Sequence, residues 1–442
     1  MKNPMKTVFP PFKAKGAFVL LWAFLALAGP AAGAFPDELY DLCFRVEPLT
    51  GGKVLFVRHR NPTLDPVLRT FEAHIFDPKT GKISFLQKYA EKLYIEPAVS
   101  RDRTTVCYHS LIEGNDFLLT TNIEKGRSSR LRFDTGGYFL TIAIDYDNDT
   151  IAASIKRGAN KQGLYVISNR KGSIKRVFEG GVLSDIGFLE NGNVCYVNTA
   201  NERKILAFAG EKKGRELTIE EVDYVRKTPR GDGIFYTKGP VLFLFRLYGT
   251  DSVTISRNFN LLGHPILISD DGSTAAFLEK GSIGIVNIPS GDIFYLISMD
   301  TEGTNAILTD FIFLLAKGKK VLELQHKKTG QALQELFTYD EDVTLLASSP
   351  DDRYIAFQGE QKSTLLFYDR KEQEIITKKF MQDVEKVLFA AEGASCYVVT
   401  RTYYHEYRAP VRELYYYDFL NGIKTFVSTT TNTDVKLYLR NE

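Results

Sequence analysis

Apolar residues fall along this chain in short runs of roughly four to six, each bounded by Gly, Pro, Asn, Asp or Ser. The clearest stretch opens with the turn Ser269-Asp270-Asp271-Gly272. Apolar runs follow at Ala275-Ala276-Phe277-Leu278 and Ile283-Gly284-Ile285-Val286. Then come the turn Pro289-Ser290-Gly291-Asp292 and a third run, Ile293-Phe294-Tyr295. The same order returns at Ser349-Pro350-Asp351-Asp352, with Tyr354-Ile355-Ala356-Phe357 and Leu365-Leu366-Phe367-Tyr368. Runs this short, rich in aromatic and β-branched residues and separated by turn formers, predict strands. No long helical period is present; residues 36–42 leave room for one short helix.

Softer copies carry the pattern along the chain. They centre on Val54-Leu55-Phe56-Val57, Val106-Cys107-Tyr108, Ile151-Ala152-Ala153, Val194-Cys195-Tyr196-Val197, Ile234-Phe235-Tyr236, residues 311–315 and Cys396-Tyr397-Val398-Val399. With the two sharp copies they recur about every 40 to 50 residues, the period of four-stranded propeller blades. A lone hairpin is marginal in water, so such units must stack, and radial stacking leaves only short edges. The expectation is all-β: a single β-propeller of four-stranded blades over residues 35–442. The best number is eight blades within a range of seven to nine, since one of the nine copies could be a partial blade. Residues 434–439 read as a further strand that would join the first blade and close the ring. A double sandwich explains the even spacing poorly, and a β-helix would have a shorter period.

At Ser349-Pro350-Asp351-Asp352-Arg353-Tyr354-Ile355-Ala356-Phe357 the sequence resembles the WD40-like repeat of TolB-type periplasmic propellers, and residues 269–277 look similar. The other copies resemble it loosely, and none ends in Trp-Asp. The resemblance implies a propeller and an exported, protein-binding role, without naming a partner.

Residues 1–34 differ from the rest. Lys2, Lys6, Lys13 and Lys15 precede an apolar run at 17–28, followed by small residues ending Ala32-Gly33-Ala34. That order is a secretory signal peptide cut after Ala34; the alternative is a retained anchor, for which the run is short of the about 20 residues a span needs. Cys43 lies too far from the run for a lipid-attachment site. Removing the segment leaves 52 basic side chains (56 less the four lysines) against 54 acidic ones, a formal net of −2. The chain is therefore expected to be periplasmic or secreted, without a membrane span after cleavage. A nucleic-acid partner needs a basic face, which the bulk charge does not offer. Export also raises the question of disulfides. Cys107, Cys195 and Cys396 each precede a Tyr in an apolar run, as if at one position of three separate blades, too far apart for a bridge of about 7 Å between Cα atoms.

Chemistry is scarce. A hydrolase of the kind that follows some propellers needs G-x-S-x-G, and Gly281-Ser282-Ile283-Gly284 has the wrong spacing. The six histidines, His59, His74, His109, His264, His326 and His405, include no i, i+4 pair. Asp145-Tyr146-Asp147-Asn148-Asp149 begins like a calcium loop, but Lys156 stands where that loop needs Glu. Gly136-Gly137 and Gly180-Gly181 read as turns between blades. No catalytic residue, metal ligand or cofactor is expected. The best candidate surface joins two long loops in the first and last units. Arg58, His59, Arg60 and Arg69 come from one, and Tyr403, Tyr404, His405, Tyr407 and Arg408 from the other. Long loops on a rigid scaffold often carry function, and Tyr and Arg are favoured at hot spots. The reading is a monomeric, non-enzymatic binding or scaffold propeller for a protein or an envelope glycan. The alternative is a metal-dependent, lactonase-like hydrolase centred on the channel.

Overall fold

A computed structural model describes residues 44–60, 70–90, 95–112, 115–133, 137–157, 161–200, 203–209, 218–248, 252–259, 266–279, 281–328, 332–390, 393–402 and 411–430, all within one compact unit, 42–442. The side chains of residues 59, 60, 89, 90 and 157 are outside that description. So are the signal-like segment 1–34, the helix considered at 36–42, and residues 434–439.

The chain forms nine four-stranded antiparallel sheets, each a simple meander of consecutive strands, arranged as the blades of a propeller. Blades 1 to 9 cover residues 44–90, 98–132, 138–180, 182–220, 225–256, 267–298, 304–338, 344–379 and 383–429. Every sequence copy is a whole blade, so the ring has one more than the best expectation of eight.

The middle strands explain the apolar runs. In Thr105–Ile112, the second strand of blade 2, Val106 and Tyr108 pack toward blade 1 while Cys107 packs toward blade 3. Successive side chains of a strand point to opposite faces, and here both faces are covered. The strand therefore reads as continuous hydrophobicity rather than alternation. Each neighbouring pair of blades shares one such cluster. Between blades 8 and 9, for instance, Phe367 and Phe380 meet Phe389 and Phe419. The seam between blades 9 and 1 has its own, with Phe56 and Phe76 against Tyr397 and Leu414. Burying each aromatic ring contributes about 1.5–3 kcal/mol. Cys107, Cys195 and Cys396 are buried and free. They are not fully equivalent: Cys107 and Cys195 face the following blade, and Cys396 faces the preceding one.

The turns between first and second strands fix the blades. In blade 8, Ser349 Oγ donates to Asp351 Oδ1 (2.6 Å) and accepts from Tyr354 N (2.9 Å), while Asp351 Oδ1 accepts from Arg353 N (3.2 Å). Blade 6 repeats this with Ser269, Asp271, Ser273 and Thr274. Blade 2 repeats it with Ser100, Asp102, Thr104 and Thr105. The residue after each Asp turns through positive φ: Asp352 at 56°, Gly272 at 68° and Arg103 at 61°. Only Gly takes that conformation freely, so the side-chain bonds hold the other two there. In blade 6 a second constraint appears, because a Cβ on Gly284 would lie 1.9 Å from the Phe277 ring.

Strands alternate in direction, so the disc has two distinct faces. One, the turn face, carries the first-to-second and third-to-fourth connections. The other, the crossover face, carries the second-to-third connections and the links between blades.

Candidate binding face at the ring closure

On the crossover face most second-to-third connections are tight, as at Gly239-Pro240 and Gly318-Lys319. The two long ones, residues 61–69 and 403–410, belong to blades 1 and 9, which pack together. Arg69, Tyr403, Tyr404, His405, Tyr407 and Arg408 lie in them, outside the described residues. Arg58, His59 and Arg60 sit on the strand Val54–Arg60 rather than in the loop, with His59 opposite Phe71 and Arg60 opposite Thr70.

Arg58 is fully engaged at the base of this face. Its Nε and Nη2 donate to Glu72 Oε2 at 3.0 and 2.7 Å, and its Nη1 donates to Ser428 Oγ at 3.0 Å across the seam in blade 9. The Glu72 side chain is only 5% exposed, so this is a largely buried pair whose charges need one another. His74 lies 3.5 Å from the same carboxylate and stacks on Phe56. In blade 9, Arg412, the second residue of the strand that follows the second long connection, forks onto Glu385 at 2.7 and 2.9 Å. Nearby, the Lys424 amine lies 4.0 Å over the Tyr415 ring. Burial lowers its pKa, and the Glu413 carboxylate opposes that shift. On the turn-face side of the seam, the Tyr397 hydroxyl donates to Gly52 O at 2.7 Å. The two long connections thus leave from strands tied by the Arg58–Glu72 and Arg412–Glu385 pairs. Glu72 and Glu385 were missed from the sequence. Their only signal was an acid within an otherwise strand-like run, which says nothing about its partner.

The channel is lined by the innermost strands. A cavity of about 310 Å3 on its wall involves Arg45, Glu47, Glu96, Ile142 and Lys227. Arg45 pairs with both Glu47 and Glu96. Burial raises the Glu47 pKa, with Arg45 opposing. Lys227 donates to Phe188 O at 2.9 Å, and burial holds its amine below the ordinary lysine range. At the turn face, first-to-second turns meet across the ring: Arg103 of blade 2 lies 4.0 Å from Asp270 of blade 6. Tyr146 of blade 3 donates to Pro229 O at 3.3 Å. Among the described residues, no three His, Cys, Asp or Glu side chains are grouped to hold a metal. The segment at 145–149 is a turn in which Asp147 Oδ1 accepts the N–H groups of Asp149 and Thr150. His109 and His326 are buried beside Asp116 and the Thr309 carbonyl. Burial lowers both pKa values against those hydrogen bonds.

No family model matches the chain, and no curated protein matches it. Among solved structures it is similar to the tricorn protease at 10% identity and a TM-score of 0.37, over 87% of this chain and 44% of that one. It is also similar to TolB from Acinetobacter baumannii (12%, 0.36, 55% of this chain and 63% of that one). A third is the dihydro-heme d1 dehydrogenase NirN (11%, 0.45, 94% and 83%). The chain spans under half of the tricorn protease and under two thirds of TolB. Likenesses of this kind concern the fold and say nothing of a ligand or a reaction.

Proposed function

We propose that the protein is an exported, non-enzymatic binding propeller with TolB-type repeats, which captures a protein or another envelope component through residues 61–69 and 403–410. The observation behind this reading is that the two long second-to-third connections belong to neighbouring blades and leave from a base held by Arg58–Glu72 and Arg412–Glu385. A pre-organised base lowers the ordering cost of binding. The channel-centred hydrolase has no observation in its favour.

The test uses the mature chain as bait in an envelope fraction. Arg60→Ala and Tyr404→Ala are expected to lower recovery of the captured component by about tenfold, the range of one hot-spot side chain, with unfolding unchanged. Recovery equal to that of the parent protein by both variants rejects the surface. Export is checked separately: the full chain, expressed with residues 1–34, is expected in the envelope fraction with Phe35 as its first residue.

A further inference from the structure

The outer rim of blades 2 and 3 carries an excess of positive charge that the near-neutral chain conceals. The outer strand of blade 2, Arg127–Arg132, presents Arg127, Arg130 and Arg132, with Lys125 in the hairpin before it. The outer strand of blade 3, Ser173–Gly180, presents Lys175 and Arg176 after Arg170 and Lys171. All are exposed. Acids on these hairpins and strands are Glu124, which accepts from Thr50, and Glu179, which pairs with Arg176 at 2.6 Å.

A cleft of about 390 Å3 runs between the two blades. Lys125 and Arg127 stand on one wall and Arg170 on the other. Among the described residues no ion pair within 4.0 Å engages these three cations, although the Arg170 charge is felt by the Asp147 carboxylate of the same cleft. Two carboxylates reach the cleft, and both are occupied by the protein. Asp147 holds its own turn, as described above. Asp149 accepts from Arg170 N at 2.6 Å and from Ser168 Oγ at 3.0 Å. Asn169 Nδ2 donates to Thr120 and Ser129 at 2.7 and 2.6 Å, making a fixed polar mesh across the seam. Among the described residues no aromatic ring lines the cleft, and Phe117 in the same blade is covered by Arg130 at 3.8 Å.

We infer that this cleft is a second binding surface, one that takes a linear polysaccharide carrying anionic groups. Cations on both walls match a chain of regularly spaced negative charges, and the hydroxyl and amide mesh matches sugar hydroxyls. Single-stranded nucleic acid normally stacks its bases on aromatic side chains, which this cleft lacks. Edge strands also use Lys and Arg to block unwanted pairing. That role needs charge along a strand, but not cations facing one another from two hairpins.

The probes are immobilised heparin and uncharged dextran, with the mature full-length chain. Binding to heparin and not to dextran is expected, weakening steeply as salt rises because counterions are displaced. Arg127→Glu with Arg170→Glu is expected to weaken it by about tenfold or more, as two like charges then face the polyanion. Lys378→Glu with Lys379→Glu, on the outer strand of blade 8, keeps the same net charge change away from the cleft and is expected to alter binding less than about twofold. Thermal unfolding of both variants shows whether the fold survives; if the first does not fold, Lys125→Gln with Arg127→Gln replaces it. Equal losses in cleft and control variants, no loss in the cleft variant, no heparin binding at low salt, or tighter binding to single-stranded DNA or anionic phospholipid vesicles would each overturn the assignment.

Discussion

Ser269 has no exposed surface, yet its hydroxyl accepts from Thr274 N and donates to Asp271 Oδ1, with Thr274 O within reach of the same proton. Replacing it with Ala leaves a buried N–H unmet, so Ser269→Ala is expected to cost about 1–3 kcal/mol in denaturant unfolding. The same turn sets a pH dependence. Burial pulls the Asp271 carboxyl upward, but bonds from Lys327, Ser273 and Ser269 outweigh it and hold the pKa below the ordinary range. A carboxyl depressed in the fold adds stability that is present above its unfolded pKa of about 3.9 and lost as pH falls through the folded value. Acid unfolding below about pH 4 should therefore be less steep in Ser269→Ala. Sequence reading recognised this turn where Gly272 or the Pro350-Asp351-Asp352 string marked it. In blade 2 only the apolar run Val106-Cys107-Tyr108 stood out, because Arg103 occupies the positive-φ position and carries no turn signature.

At the level of strands, legibility follows burial. Second and third strands are covered on both faces and announce themselves as apolar runs. First strands such as Ala98–Val99 and Leu267–Ile268 are too short to register. The outer strand Arg127–Arg132, composed of Arg, Ser and Leu, resembles a loop. Its neighbour in kind, Ile293–Ser298 of blade 6, is the opposite case. It has no charge and leaves Ile293, Phe294 and Leu296 exposed, Leu296 by 66%. Most other outer strands carry charges, Ser252–Ser256 of blade 5 being an exception, and a bulge bends this one between Ile293 and Tyr295, which shortens the regular edge. An uncharged edge is a site of strand-to-strand aggregation. Leu296→Lys is expected to slow aggregation in light scattering on heating, with stability changed by less than about 0.5 kcal/mol, as for exposed positions generally.

For the whole disc, the number of blades was within reach of the sequence but not fixed by it. Blade 4 ends in the short strand Thr218–Glu220 and blade 5 begins with Val225–Lys227, so their border offers no strong punctuation. Closure was less legible still. Blade 1 has four strands of its own and meets blade 9 through side chains; the strand expected at 434–439 lies outside the described residues. Arg58→Met should therefore act on the assembly rather than on one blade. It leaves the Glu72 carboxylate buried without its guanidinium, a loss of about 3–5 kcal/mol for such a pair, measurable as a lower unfolding temperature and as faster proteolysis near residues 44 and 430. Among the described residues, the covalent chain crosses eight of the nine seams, and the seam between blades 9 and 1 is held by side chains. Mechanically the molecule is a split hoop. Any outward load, whether thermal or applied by a bound partner, is carried around the circumference by peptide bonds until it reaches this gap. There the apolar cluster around Phe76 and Tyr397, the Tyr397 hydroxyl on Gly52 and the Arg58–Ser428 bond bear it.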